Sequence, residues 1–160
     1  MAENEEIRRI IDIVNKSKIG MFTTVDKVGT PISRPMTVQQ TADDADLWFL
    51  TDKDTSVVAE LELSNKVNVS FGHGTDWVSV SGTAKTLQDT AKVRELWSQA
   101  NTAFFPDGPE TPGLTLIHVD SDSAEYWETP GGVASVAFRW AKARVTGKQI
   151  NAGDSHVVEL

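Results

Sequence analysis

The chain has 160 residues, 39% of them hydrophobic, which suffices for one core and is too little for two comfortable domains. Its 23 acidic against 15 basic residues leave a formal charge of −8, a surface that repels nucleic-acid backbones, and the absence of cysteine excludes disulfides, thiolate metal sites and cysteine nucleophiles. No apolar run approaches a membrane span and the acidic opening Met1 to Glu6 is the wrong pattern for a signal peptide, so the expectation is one soluble cytoplasmic domain over 1–160 with no nucleic-acid or membrane partner.

Ile7, Ile10, Ile11 and Val14 recur at helical spacing and predict an N-terminal helix over about 4–16. Two stretches rich in β-formers, Ile19 to Val25 and Pro31 to Gln39, flank Asp26-Lys27-Val28-Gly29-Thr30 and read as an antiparallel hairpin. A turn over 41–46 precedes Leu47-Trp48-Phe49-Leu50-Thr51, apolar on both faces and therefore a strand covered on both sides. Asp52 and Asp54 then offer capping oxygens to a short helix whose stripe is Val57, Val58 and Leu61. Val67, Val69 and Phe71 alternate, Gly72-His73-Gly74 turns the chain, and Val78 and Val80 alternate again up to Gly82, a second hairpin. Asp89 caps a helix expected to show Val93, Leu96, Trp97 and Ala100 on one face. Phe104 to Gly113, with three prolines and two glycines, is a loop anchored by its aromatics. Thr115 to Val119 and Ala124 to Glu128 form one bent strand or two short ones around Asp120-Ser121-Asp122, and Val133 to Val145 allows a helix without requiring it. Six or seven short strands without βαβ alternation predict a mainly β fold, an antiparallel barrel with accessory helices.

The three histidines stand apart, so no metal-ligand spacing exists, and no nucleophile elbow, Walker loop or dinucleotide fingerprint is present. The pairs Asp43/Asp44, Asp52/Asp54 and Asp120/Asp122 are explained by turns and caps and lack the register of a calcium loop. Period-two geometry places Arg34 on the face of Ile32, Met36 and Val38, so a guanidinium emerges among apolar neighbours and needs an anion. That anion is either a ligand or an internal carboxylate. Pro35 removes one ladder donor and suits a barrel rim.

Ser33-Arg34-Pro35-Met36, Trp48-Phe49-Leu50-Thr51-Asp52, Asn65 to Phe71, Val78 to Ala84, the Phe104 to Pro112 loop, Glu125-Tyr126-Trp127, Thr146-Gly147-Lys148 and the closing Val157 to Leu160 occur in an order that resembles the general stress protein branch of the pyridoxamine 5′-phosphate oxidase-like FMN-binding split barrels. The resemblance implies a split β-barrel of six or seven antiparallel strands, a homodimer, and FMN held where two subunits meet. By the same resemblance Arg34 is the phosphate ligand, Ser33 beside it also belongs to the cofactor site, and Pro35, Met36 and Thr37 pass beneath the isoalloxazine ring. Leu50 and Thr51 offer backbone and hydroxyl contacts, Lys53 and Thr55 are helper donors, and Trp77 and Trp127 lie near the ring, in relatives often from the partner subunit. Both tryptophans are equally explained as core residues.

Two departures stand out. Val57 occupies a position where relatives commonly carry a second phosphate-binding Lys, a loss worth ~1.5–3 kcal/mol of affinity. Gln39 replaces a Lys typical of the vitamin-forming oxidases, and no Arg-x-His pair follows Trp127, so oxidation of pyridoxamine phosphate is not supported. The expected function is an FMN-dependent oxidoreductase or flavin carrier linked to stress; the alternative is a dimer that is cofactor-free or binds heme or a deazaflavin in a non-enzymatic role. The small-molecule redox substrate and the electron donor have no signature in the sequence.

Overall fold

The computed structural model describes residues 2–146 and 154–160; Met1, Gly147 and Lys148 lie outside them. The helix α1 (Ala2–Ser17) is slightly longer than its sequence signal at both ends, and its buried face is Ile10, Ile13 and Val14, with Ile7 and Ile11 half-covered. Lys18, at φ 61°, turns the chain out of α1 by donating its N–H to the Val14 carbonyl, and β1 (Ile19–Val25) follows at once. Asp26 accepts the N–H groups of Val28 and Thr30 and so fixes the turn into β2 (Pro31–Thr41). These backbone bonds hold the Asp26 carboxyl below its ordinary range.

The remaining strands are β3 (Leu47–Asp52), β4 (Lys66–His73), β5 (Asp76–Leu87), β6 (Leu114–Glu128) and β7 (Asp154–Glu159), and the remaining helices are α2 (Ser56–Leu63), α3 (Thr90–Leu96) and α4 (Gly132–Thr146). The order is β3-β2-β1-β4-β5-β6-β7, every pairing is antiparallel, and β3 also pairs with β6. Six strands therefore close into a barrel and β7 extends it, the mainly β architecture expected from the strand spacing. Closure leaves most edges paired, which suits strands this short.

The barrel is filled by Phe22, Phe49, Val69, Phe71, Val80 and Ile117, with Phe22 and Phe49 edge-to-face at 5.2 Å. Each such side chain contributes about 1.5–3 kcal/mol through its burial. The two-sided covering expected for β3 is present: Leu47 and Phe49 face this core, and Trp48 and Leu50 pack in a second cluster with Val93, Leu96, Leu114 and Leu116. β6 is one long bent strand. Its first half pairs with β3 and its second half with β7, so one strand edge serves two partners in turn.

Four boundaries differ from the sequence reading. The N-cap of α2 is Thr55, because Asp52 spends a carboxylate oxygen on the Asp54 N–H in the preceding turn. β4 runs through His73, and β5 continues past Gly82 to Leu87; at Gly82 an added Cβ would strike the Asp120 carbonyl, so the glycine permits a close crossing at the β5–β6 irregularity. α3, capped by Asp89 as expected, stops at Leu96; Trp97 is extended, and Ala100 belongs to a separate 3-10 turn, Gln99–Ala103. β7 carries no strong alternation and emerges only as a partner for β6.

Candidate functional site

β2 and β3 are registered only through Val38↔Phe49, Gln40↔Trp48 and Thr41↔Leu47, with an irregularity between Val38 and Gln40. Beyond it Pro31 to Thr37 keep β1 as their only partner, and Leu50 to Asp52 keep only β6. The two strands diverge there, and the gap is a cavity of about 510 Å³, within the size range of small-molecule sites. Arg34, Met36 and Thr37 form one wall, Leu50 and Thr51 the other, and the start of α2 with Val57 closes the end. Phe104 and Phe105 roof it from the loop after the 3-10 turn. Phe105 is anchored against Trp97 at 6.5 Å, whereas Phe104 is exposed, so only one of the two aromatics anchors that loop.

Of the residues expected to make a site, Arg34, Pro35, Met36, Thr37, Leu50, Thr51 and Thr55 converge on this cavity, and four do not. Ser33 points to the outer face of the sheet, its hydroxyl 2.7 Å from that of Thr23. Lys53 turns to Asp54, with Nζ 2.9 Å from both carboxylate oxygens, and that contact raises the Lys53 pKa above its ordinary value. Trp77 and Trp127 are cross-strand partners on β5 and β6, away from this cavity; Trp77 is 56% exposed, lying over Gly72, and is no core residue, while Trp127 is half-buried.

The anion of Arg34 within the chain is a carboxylate. Its Nη2 donates to Glu60 Oε2 at 2.5 Å and its Nη1 to Thr24 Oγ1 at 2.7 Å, and the Thr24 hydroxyl donates to the same Glu60 oxygen. Of the two open readings of Arg34, the internal pair is thus realised, yet the guanidinium also borders the cavity with N–H groups left over. Thr51 and Thr55 hydroxyls lie 3.1 Å apart, and Thr55 donates to the Asp52 carbonyl instead of capping α2. The first-turn N–H groups of α2 are therefore not met by their cap residue's side chain, and Ser56 and Val57 of that turn line the cavity.

Sequence reasoning missed Asn101, Asp52, Phe104 and Phe105 as cavity residues. Buried Asn101 donates to Gln39 Oε1 at 2.9 Å and pins the 3-10 turn against β2. Its signal was faint: one Asn among polar residues, 62 positions from its partner. The donor set suits a planar ligand with an anionic tail. Apolar walls from Met36, Leu50, Val57 and Phe105 lie beside a guanidinium, two hydroxyls and a helix end.

Comparison with known proteins gives a consistent set of matches. Residues 5–151 match the family described as "Pyridoxamine 5'-phosphate oxidase like". Protein bli-3 of Neurospora crassa is 30% identical over 157 residues, spanning 91% of this chain and 75% of its own length. A general stress protein 26 from Jannaschia sp. CCS1 superposes with TM-score 0.77 at 24% identity, both chains covered in full, a likeness of fold. A general stress FMN/FAD binding protein of Xanthomonas citri superposes with TM-score 0.66 at 26% identity, covering 82% of this chain and 91% of its own.

Proposed function

The chain belongs to the pyridoxamine 5′-phosphate oxidase-like family, and on that premise we propose that it binds FMN in the cleft between β2 and β3, as a cytoplasmic homodimer acting as a flavin-dependent oxidoreductase or flavin carrier. The observation that carries the reading is the cleft itself, where the divergence of two barrel strands collects apolar walls and phosphate-type donors in one place. The general stress FMN/FAD binding protein of Xanthomonas citri supports a flavin as the ligand.

When bound, the flavin would supply the one- or two-electron redox chemistry. Arg34 and the first-turn N–H groups of α2 would hold the phosphate, and the Thr51 and Thr55 hydroxyls would orient the ligand beside them. Met36, Leu50 and Phe105 would exclude water from the ring. Asn101, bound to Gln39, holds the roof over the cleft.

A second copy of the chain is the proposed partner. Helix α4 presents Val133, Val136 and Trp140 to solvent on one face and Phe138 on the opposite one, more apolar surface than an isolated helix keeps uncovered. It also carries Arg139, Lys142 and Arg144 with no carboxylate on a chain of net charge −8, so an identical acidic subunit complements it. Exposed Trp77 would then be available to a neighbouring cleft.

The test is a titration of the purified chain with FMN, followed by the loss of flavin fluorescence, with light scattering on the same sample. Saturable binding to a species of twice the chain mass is expected, and Arg34→Ala should weaken it ten- to a hundredfold, roughly the worth of one charge-assisted contact. The Arg34–Glu60 pair favours one other reading, a dimer that is cofactor-free or takes heme or a deazaflavin. Failure of FMN to bind, with a Soret shift on adding hemin, would establish that alternative.

A further inference from the structure

We propose that Glu60 is a positioning residue that sets how strongly the cleft takes a phosphomonoester, and that through Arg34 it makes the flavin a dissociable ligand; this rests on the flavin reading above. The charged residues lining the cavity are one cation, Arg34, and one carboxylate, Asp52. Glu60 stands behind Arg34 at 2.5 Å, so the groups nearest a bound phosphate are one guanidinium and two carboxylates. The Arg34 and Glu60 side chains are 20% and 15% exposed, which leaves little water between them to screen the pair. Lys53, the nearest candidate for a second cation, is held on Asp54 and does not line the cavity.

Two effects of Glu60 oppose each other. It orders the Arg34 side chain, which favours binding, and it cancels the guanidinium charge, which disfavours a dianion. Thr24 also holds Arg34, at 2.7 Å, so most of the ordering survives without the carboxylate. The charge has no substitute, so cancellation wins. The ring is indifferent to it, because its walls are Met36, Leu50, Val57 and Phe105. Glu60 therefore acts on the phosphate alone, and the ratio of FMN to riboflavin affinity reports it without interference from folding or from the ring pocket.

The experiment measures flavin fluorescence quenching by the full chain with FMN and with riboflavin, in wild type, Glu60→Gln and Glu60→Ala, with a thermal midpoint for each. Gln keeps an acceptor for Arg34 and Thr24, and the Ala variant gives a second reading should Gln disturb folding. The wild type is expected to bind the two flavins within about tenfold of each other. Glu60→Gln should tighten FMN about tenfold and leave riboflavin within about twofold, since one unit charge near a phosphate is worth roughly that factor in a partly solvated site. A ratio unchanged in both variants, or shifted toward riboflavin, overturns the proposal and leaves the flavin reading standing, as does a wild type that prefers FMN by a thousandfold. Absence of binding of either flavin to all three proteins overturns the flavin reading and this inference with it.

Discussion

His118 and Asp46 join β6 to the turn before β3 at 2.7 Å, whereas Arg34 and Glu60 join β2 to α2 at 2.5 Å, and all four side chains are between 13% and 20% exposed. The first pair is tied largely to protein atoms, although the buried His118 Nδ1 lacks a hydrogen-bond partner among the described residues. Asp46 uses its other oxygen on the Ser121 N–H, Ser121 in turn donates its hydroxyl to the Ala45 carbonyl, and Trp48 lies over the His118 ring at 4.3 Å. The second pair borders an open cavity and keeps donors in reserve. Partly buried polar pairs of similar exposure therefore serve different ends. Where protein atoms occupy both carboxylate oxygens, the pair secures the fold; where a cleft adjoins, the guanidinium keeps donors for a ligand.

The strongest way to test that contrast is Asp46→Ala, which strands the His118 ring and the Ser121 N–H together. It should cost about 3 kcal/mol in urea denaturation, and the protein that remains folded should bind FMN as the wild type does. The intermediate case removes both members of the other pair at once. Arg34→Met with Glu60→Leu should cost only about 1 kcal/mol, from the hydroxyl of Thr24 left without partners, because replacing a buried pair by apolar groups is close to neutral. That double variant should also lose discrimination between FMN and riboflavin. If it destabilises as much as Asp46→Ala, the two pairs are equivalent and the contrast fails. The smallest effect is expected from Lys53→Ala, which should leave both the denaturation midpoint and the FMN titration unchanged, since the ammonium is spent on Asp54. A weakened titration would return Lys53 to the site.

Every strand read from the sequence is found, with β7 added, and the helices α1, α2 and α3 start where caps and stripes place them to within a few residues. Their ends were less legible. Ala100 keeps the helical spacing of Val93 and Leu96 but lies in a separate turn, because the second core cluster claims Trp97 and Phe105 and draws the chain away from its helical path. The cavity shows the same division. Arg34, Met36, Leu50, Thr51 and Thr55 were named from residue type, order and family resemblance, while Asn101 and the aromatic roof were not, since they approach β2 only after the chain has passed around the barrel.

Composition and periodicity by themselves determined a mainly β fold and put a guanidinium at position 34 on the inward face of β2, because both follow from local side-chain alternation. Which anion that guanidinium meets depended on tertiary structure. Glu60 lies 26 positions away on a helix, and only the packing of α2 against β1 and β5 brings its carboxylate to Arg34 and Thr24. The cleft beside them was likewise decided in three dimensions: β2 and β3 pair only from Val38 to Thr41 against Leu47 to Phe49, and a cavity opens where that pairing ends.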